Sequence, residues 1–232
     1  MSITVVASST ARGSNTASTT LQVTLGAAVA SGDTIALVIQ ERGTESAQIT
    51  DVEDQLNGTW PGAVAGPITS AGATFRSWFL VFEDSAAGTP VIDITFDTSI
   101  SSECVAIGLN GSVATPELDV LGTTYNSAGA NETAPDTAAV SATAAGIFIA
   151  GITANNYQAS APTESGGATV GPASTADGRT FMASRAISVA GSEDFAFTGA
   201  SSRWIIFQAT FIEAAAANAV PVIRHLQTMQ KR

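Results

Sequence analysis

The chain has one cysteine (Cys104), one histidine (His225) and one lysine (Lys231) in 232 residues. A single cysteine excludes an intrachain disulfide framework and a zinc site built on several cysteines. The only imidazole lies close to the C-terminus, so a Ser-His-Asp or Cys-His centre is not expected in the body. Cys104 sits in the strand-like run Glu103-Cys104-Val105-Ala106-Ile107 and reads as a small buried hydrophobe. Charged residues make up only 12 % and aromatics 6 %. No run of 18 apolar residues occurs, which argues against a spanning helix. The start, Met1-Ser2-Ile3-Thr4-Val5-Val6, has neither the basic nor the apolar region of a secretory signal, so the product is expected to be made in a cytoplasm. The net charge of −11 is wrong for a nucleic-acid binder, which needs a basic face against phosphates. There is no phosphate-binding glycine loop, and no cofactor is expected.

What is abundant is small. Ala, Gly, Ser and Thr fill half the chain. Between them runs period-2 alternation. Ile3–Ser8, Thr20–Leu25 and Gln48–Val52 read as strands. Thr34–Gln40 is apolar on both faces, as a central strand would be. Phe75 to Phe82 places Phe75, Phe79 and Val81 on one side and Trp78, Leu80 and Phe82 on the other. Val91–Phe96, Cys104–Leu109, Gly146–Ile152, Phe181–Val189, Phe195–Phe197 and Arg203–Ile212 follow. That is about ten strands, and nothing before residue 213 holds a 3.6-residue apolar period. The stretches 113–139 and 154–179 read as long connections, of a length that carries contacts or extra short strands. Val23–Ile39 and Val140–Ile152 resemble each other weakly, so a duplicated hairpin and mere compositional bias both remain open. The expectation is one domain over residues 1–212, followed by an arm, 213–232.

Charge is unevenly placed. Residues 1–223 hold six of the nine basic residues and all twenty acids, a net −14. Arg224 to Arg232 hold three basic residues and no acid, a net +3. After Pro221, which suits a first helical position, Val222, Ile223, Leu226 and Met229 would share one helical face. With Arg224, Lys231 and Arg232 they form an apolar-basic arm, extended or helical, suited to docking on an acidic neighbouring subunit. Asp51-Val52-Glu53-Asp54-Gln55-Leu56-Asn57-Gly58 gathers oxygen ligands but misses the calcium-loop spacing, so a turn is the better reading and no metal is expected. Trp60, Tyr125 and Tyr157 fall in or near loops. They are the candidates for a ligand loop, with a glycan as its ligand, and each also fits as an anchor on a sheet edge. Paired carboxylates of a glycosidase carry no signal in a chain with twenty acids, and no catalytic residues are expected.

The order of these features carries a resemblance. It runs from the strand near Met1 through Thr19–Leu25, Gly32–Ile39, Ile49–Asp54 and Asn57-Gly58-Thr59-Trp60 to Arg203–Phe207. It resembles the jelly-roll β-sandwich structural proteins of tailed-phage particles over residues 3–212. The resemblance implies an all-β, antiparallel, non-enzymatic virion part, such as a capsid decoration (cement) protein or a head or tail fibre component. It also implies assembly with copies of itself, as a trimer, and with a major capsid or other virion protein. The alternative is a carbohydrate- or receptor-binding β-sandwich module of an adhesin.

Overall fold

A computed structural model describes residues 2–214, apart from 11, 14–16, 44–46, 63–64, 71, 73–74, 128–129, 159 and 174–177. The arm beyond residue 214 lies outside the described residues. Within them the chain is all β, every strand pairing is antiparallel, and no helix occurs.

The strands of the first half are β1 (Ile3–Thr10), β2 (Arg12–Gly13), β3 (Ser18–Leu25), β4 (Asp33–Arg42), β5 (Ile49–Asp54), β6 (Gly58–Thr59), β7 (Ala65–Thr69), β8 (Phe75–Ser85) and β9 (Val91–Gly111). They form one nine-stranded curled sheet. Its curl comes from β9. The first part of β9 pairs with β3 and β5, and the second part with β1, β2 and β4. β1 then meets β3 at Ser9–Leu25 and Thr10–Thr24 and closes that corner.

The second half contributes β10 (Pro116–Leu121), β11 (Tyr125–Asn126), β12 (Val140–Ala142), β13 (Gly146–Ala154), β14 (Thr163–Glu164), β15 (Thr169–Ala173), β16 (Thr180–Ile187), β17 (Gly191–Glu193), β18 (Phe197–Thr198) and β19 (Trp204–Glu213). A sheet runs β10-β19-β13-β16-β15, with β11 on β19, and two ribbons, β12–β17 and β14–β18, stand apart from it. Nineteen strands thus replace the ten or so expected. Four of the short ones, β10, β11, β14 and β15, occupy the stretches read as long connections. Val91–Phe96 and Cys104–Leu109, read as two strands, are parts of the single β9.

Three apolar layers result, and alternation decides which residue enters which. Ile35, Leu37 and Ile39 of β4 fill the first, inside the curl, with Trp78 and Leu80 of β8. Ala36 and Val38, with Phe75, Phe79 and Val81, face the other way. There they meet Ile147, Ile149, Met182 and Phe207 of the second sheet in a layer that joins the halves. The outer face of that sheet, Phe148, Ile152, Phe181 and Trp204, forms the third layer under the ribbons, with Phe195 stacked between Phe148 (4.2 Å) and Phe197 (5.4 Å). Fully burying such side chains stabilises by about 1.5–3 kcal/mol each. Cys104 is fully buried in the first layer, as its pattern implied.

Candidate functional site

The outward face of the β5–β9 pair is the most distinctive surface. Val52 opposes Ile94 and both point inward, so their neighbours point out. Glu53 stands directly opposite Asp93 in register, and both are exposed. Asp97 is exposed beyond them and Asp51 is half-buried beside them. Like charges directly across a ladder destabilise it. Gln22 Nε2, donating to Asp93 Oδ1 at 2.9 Å, answers part of that cost.

Beside this face opens a cleft of about 340 Å³. Trp60, Pro61, Pro67, Trp78 and Leu80 supply its apolar wall, and Gln48, Thr50, Asp51 and Thr59 its polar groups. The hairpin that forms its rim is built by Asp54. This buried carboxylate accepts from Leu56 N (2.8 Å), Asn57 N (2.9 Å), Asn57 Nδ2 (2.9 Å) and Trp60 Nε1 (2.6 Å). Gly58 takes φ +75°, which the three-residue turn between Asp54 and Gly58 requires. Asn57-Gly58 therefore turns the chain as its residues suggest, and the Asp54 oxygens are given to protein donors.

The three aromatics proposed for a ligand loop do not converge. Trp60 is only 5 % exposed, and its indole packs 5.3 Å from Phe82. It is chiefly an anchor of the first layer, with little of its surface left for a sugar to stack on. Tyr125 lies on β11 in the other half, half-buried, and its hydroxyl donates to Glu132. Burial, then that bond and the charges of Glu132 and Asp136, push its pKa well above the usual tyrosine value. Tyr157 alone is exposed, at 57 %. Pro221, Val222, Ile223, Arg224, Leu226, Met229, Lys231 and Arg232 lie outside the described residues, as does His225.

Single-residue patterns missed where the cations go. Arg42, Arg76, Arg179, Arg185 and Arg203 are all half-buried. Arg76 reaches Glu41 (3.8 Å) and lies over the Trp78 ring (5.5 Å). Arg42 reaches Glu103 (3.7 Å), and both carboxylates are fully buried. Arg185 lies over Phe148 and Phe195 and holds Glu193 (3.0 Å) and Glu164 (3.5 Å). The available signal was a charge set directly against an apolar strand, as in Ile39-Gln40-Glu41-Arg42. By contrast Glu53, Glu83, Asp84, Asp93, Asp97, Glu117, Asp136 and Asp194 are exposed. Among the residues whose exposure is described, every exposed charged side chain is therefore an acid.

Where the halves join, Glu213 closes β19 and accepts from Ser112 N, Ser112 Oγ (2.8 Å) and Val113 N (3.1 Å). Burial alone would raise its pKa. These donors, Ser112 Oγ first, outweigh burial and hold the carboxyl below its ordinary range.

Among the described residues no three His, Cys, Asp or Glu side chains gather as a metal site, and no helix is long and apolar enough to cross a membrane. No family model, curated protein or solved structure matches the chain. The arrangement offers recognition by charge and shape: an acidic strand face beside a proline- and tryptophan-walled cleft.

Proposed function

We propose that the protein is a non-enzymatic structural part of a tailed-phage virion, most simply a capsid decoration protein. On this reading its subunits are tied to one another and to the shell through their basic-apolar arms. The observation that carries the reading is the sorting of charge. Arg42, Arg76, Arg179, Arg185 and Arg203 are half-buried, and an exposed acidic face (Glu53, Asp93, Asp97) is kept despite its like-charge cost. The same chain supplies a +3 arm, 221–232, that carries Val222, Ile223, Leu226 and Met229. A face and a segment of opposite sign steer association between copies. Surfaces of Ala, Ser, Thr and Gly lose little side-chain entropy when ordered at an interface, and lysine, which interfaces avoid, is nearly absent.

Strand order supports the finer, jelly-roll form of the fold. In the first half β1-β9-β4-β8 make one side of the curled sheet and β3-β9-β5-β6 the other, with each outer strand of the sequence paired to its opposite end. That nested order is the one expected of a jelly roll, an architecture used by viral capsid and lectin domains.

The test is size-exclusion chromatography with light scattering on the full chain and on a chain lacking 221–232, with capsid co-sedimentation alongside. Assembly or capsid binding by the full chain, lost on truncation and weakened by salt, is the expected result. Monomers in both cases with no capsid binding overturn the proposal. Specific glycan binding unaffected by the truncation would assign the chain to the adhesin class instead.

A further inference from the structure

We infer that the chain is a tandem repeat of one β-sandwich unit, and that the apolar layer between its halves is the self-complementary interface of a homodimer made permanent by the short link Ser112–Thr115.

Pairing comes first. β9 and β8 flank β4 as β19 and β16 flank β13. β1 lies on the far side of β9 as β10 lies on that of β19. β2 and β11 add a short strand to the same edge. β7 extends β8 as β15 extends β16. The ribbons β12–β17 and β14–β18 repeat the pairings of β3 and β5 with the first part of β9.

Register then fixes residue equivalents. Ile39 opposes Trp78 and Cys104, and Ile152 opposes Phe181 and Ile206. Counting from these, Val38 corresponds to Gly151, Gln40 to Thr153 and Ser77 to Thr180. On β1 and β10, Ile3 opposes Gly111 and Pro116 opposes Glu213, which keeps the same offsets.

The contacts across the layer obey this correspondence. Ser77 Oγ and Thr153 Oγ1 share a hydrogen bond of 2.7 Å, and Thr180 Oγ1 donates to Gln40 Oε1 at 3.3 Å. Exchanging the halves turns the first bridge into the second. Val38 and Gly151 are each other's equivalents and also touch, because a Cβ on Gly151 would lie 3.0 Å from Val38 Cβ. A pair that maps onto itself marks an approximate twofold axis. β1 meets β13, β16 and β19, while β10 meets β4, β8 and β9, as the same exchange demands. Such an isologous face fits a second copy of its own unit.

The test keeps the full chain. Gly151→Val alone overpacks the axis and lowers the thermal midpoint by about 5 °C or more. The exchange Val38→Gly/Gly151→Val returns to within about 3 °C of the parent. The second variant trades the two off-axis bridges: Gln40→Thr, Ser77→Thr, Thr153→Gln and Thr180→Ser together. With a true axis each residue finds its equivalent setting, and the chain folds with a midpoint within about 5 °C of the parent. If the four-residue exchange fails to fold, or loses more than that, the repeat inference is overturned, because local volume compensation cannot carry that variant.

Discussion

Asp54 gives the sharpest quantitative test. Its Oδ1 accepts from two backbone N–H groups, and its Oδ2 accepts from Asn57 Nδ2 and the Trp60 indole. Asp54→Asn can keep an oxygen toward the backbone pair, but it turns an NH₂ toward two donors. Two charge-assisted bonds are lost, at about 1.5 kcal/mol each, so the loss is near 3 kcal/mol. For a chain of this size that lowers Tm by about 6–12 °C. Trp60→Phe removes one of those donors and costs less. In the double variant the introduced amide no longer faces an indole N–H, so the two losses add to less than their sum by about 1 kcal/mol. The assay is thermal unfolding followed by circular dichroism, with and without calcium. A Tm for Asp54→Asn within about 1 °C of the parent would refute the turn-anchor role. So would a calcium-induced rise in the parent that Asp54→Asn abolishes, since it would make the carboxylate a metal ligand instead.

Glu213→Gln weakens the link between the halves by about 1–2 kcal/mol at pH 7, because three bonds lose their charge. The folded carboxyl has a lowered pKa, so its contribution is complete above the unfolded value of about 4.3 and fades as pH falls through the folded value. The gap between parent and variant in urea midpoints should therefore close in acid and not in base. Gly66→Ala forces a Cβ to 2.6 Å from Ser77 O at φ +111° and costs about 2–4 kcal/mol, read as a lower Tm. Arg76→Ala takes the guanidinium from fully buried Glu41 and from the Trp78 ring, and denaturant titration should show a loss of about 3–5 kcal/mol.

How far residues announced this structure depended on whether neighbours or distant partners set their role. Thr34–Gln40 and the two sides of Phe75–Phe82 were legible because alternation is local and the layers obey it. β9 was split because Asp97, Thr98 and Ser99 are consecutive exposed polar residues, a loop signal in isolation. Pairing with β3 and β5 on one side of them, and with β4 on the other, carries the strand through. Trp60 looked like a binding aromatic in a turn, yet Asp54 captures its indole N–H and turns the ring inward. The repeat showed only where composition is apolar, at β4 and β13. Elsewhere the two copies keep register and exchange residue types, and register is invisible without the partner strand.

The continuity of β9 also sets a schedule for synthesis. β1, β3, β4 and β5 all wait on β9, so the first half can complete its sheet only when residue 111 has been made. Its Val38–Phe79–Val105 face then waits for β13, β16 and β19, and the cover is complete only about a hundred residues later. At about 5–20 residues per second that is an interval of roughly 5–20 s. During it, the nascent chain presents the surface on which two chains on neighbouring ribosomes would mistake each other for their own second half.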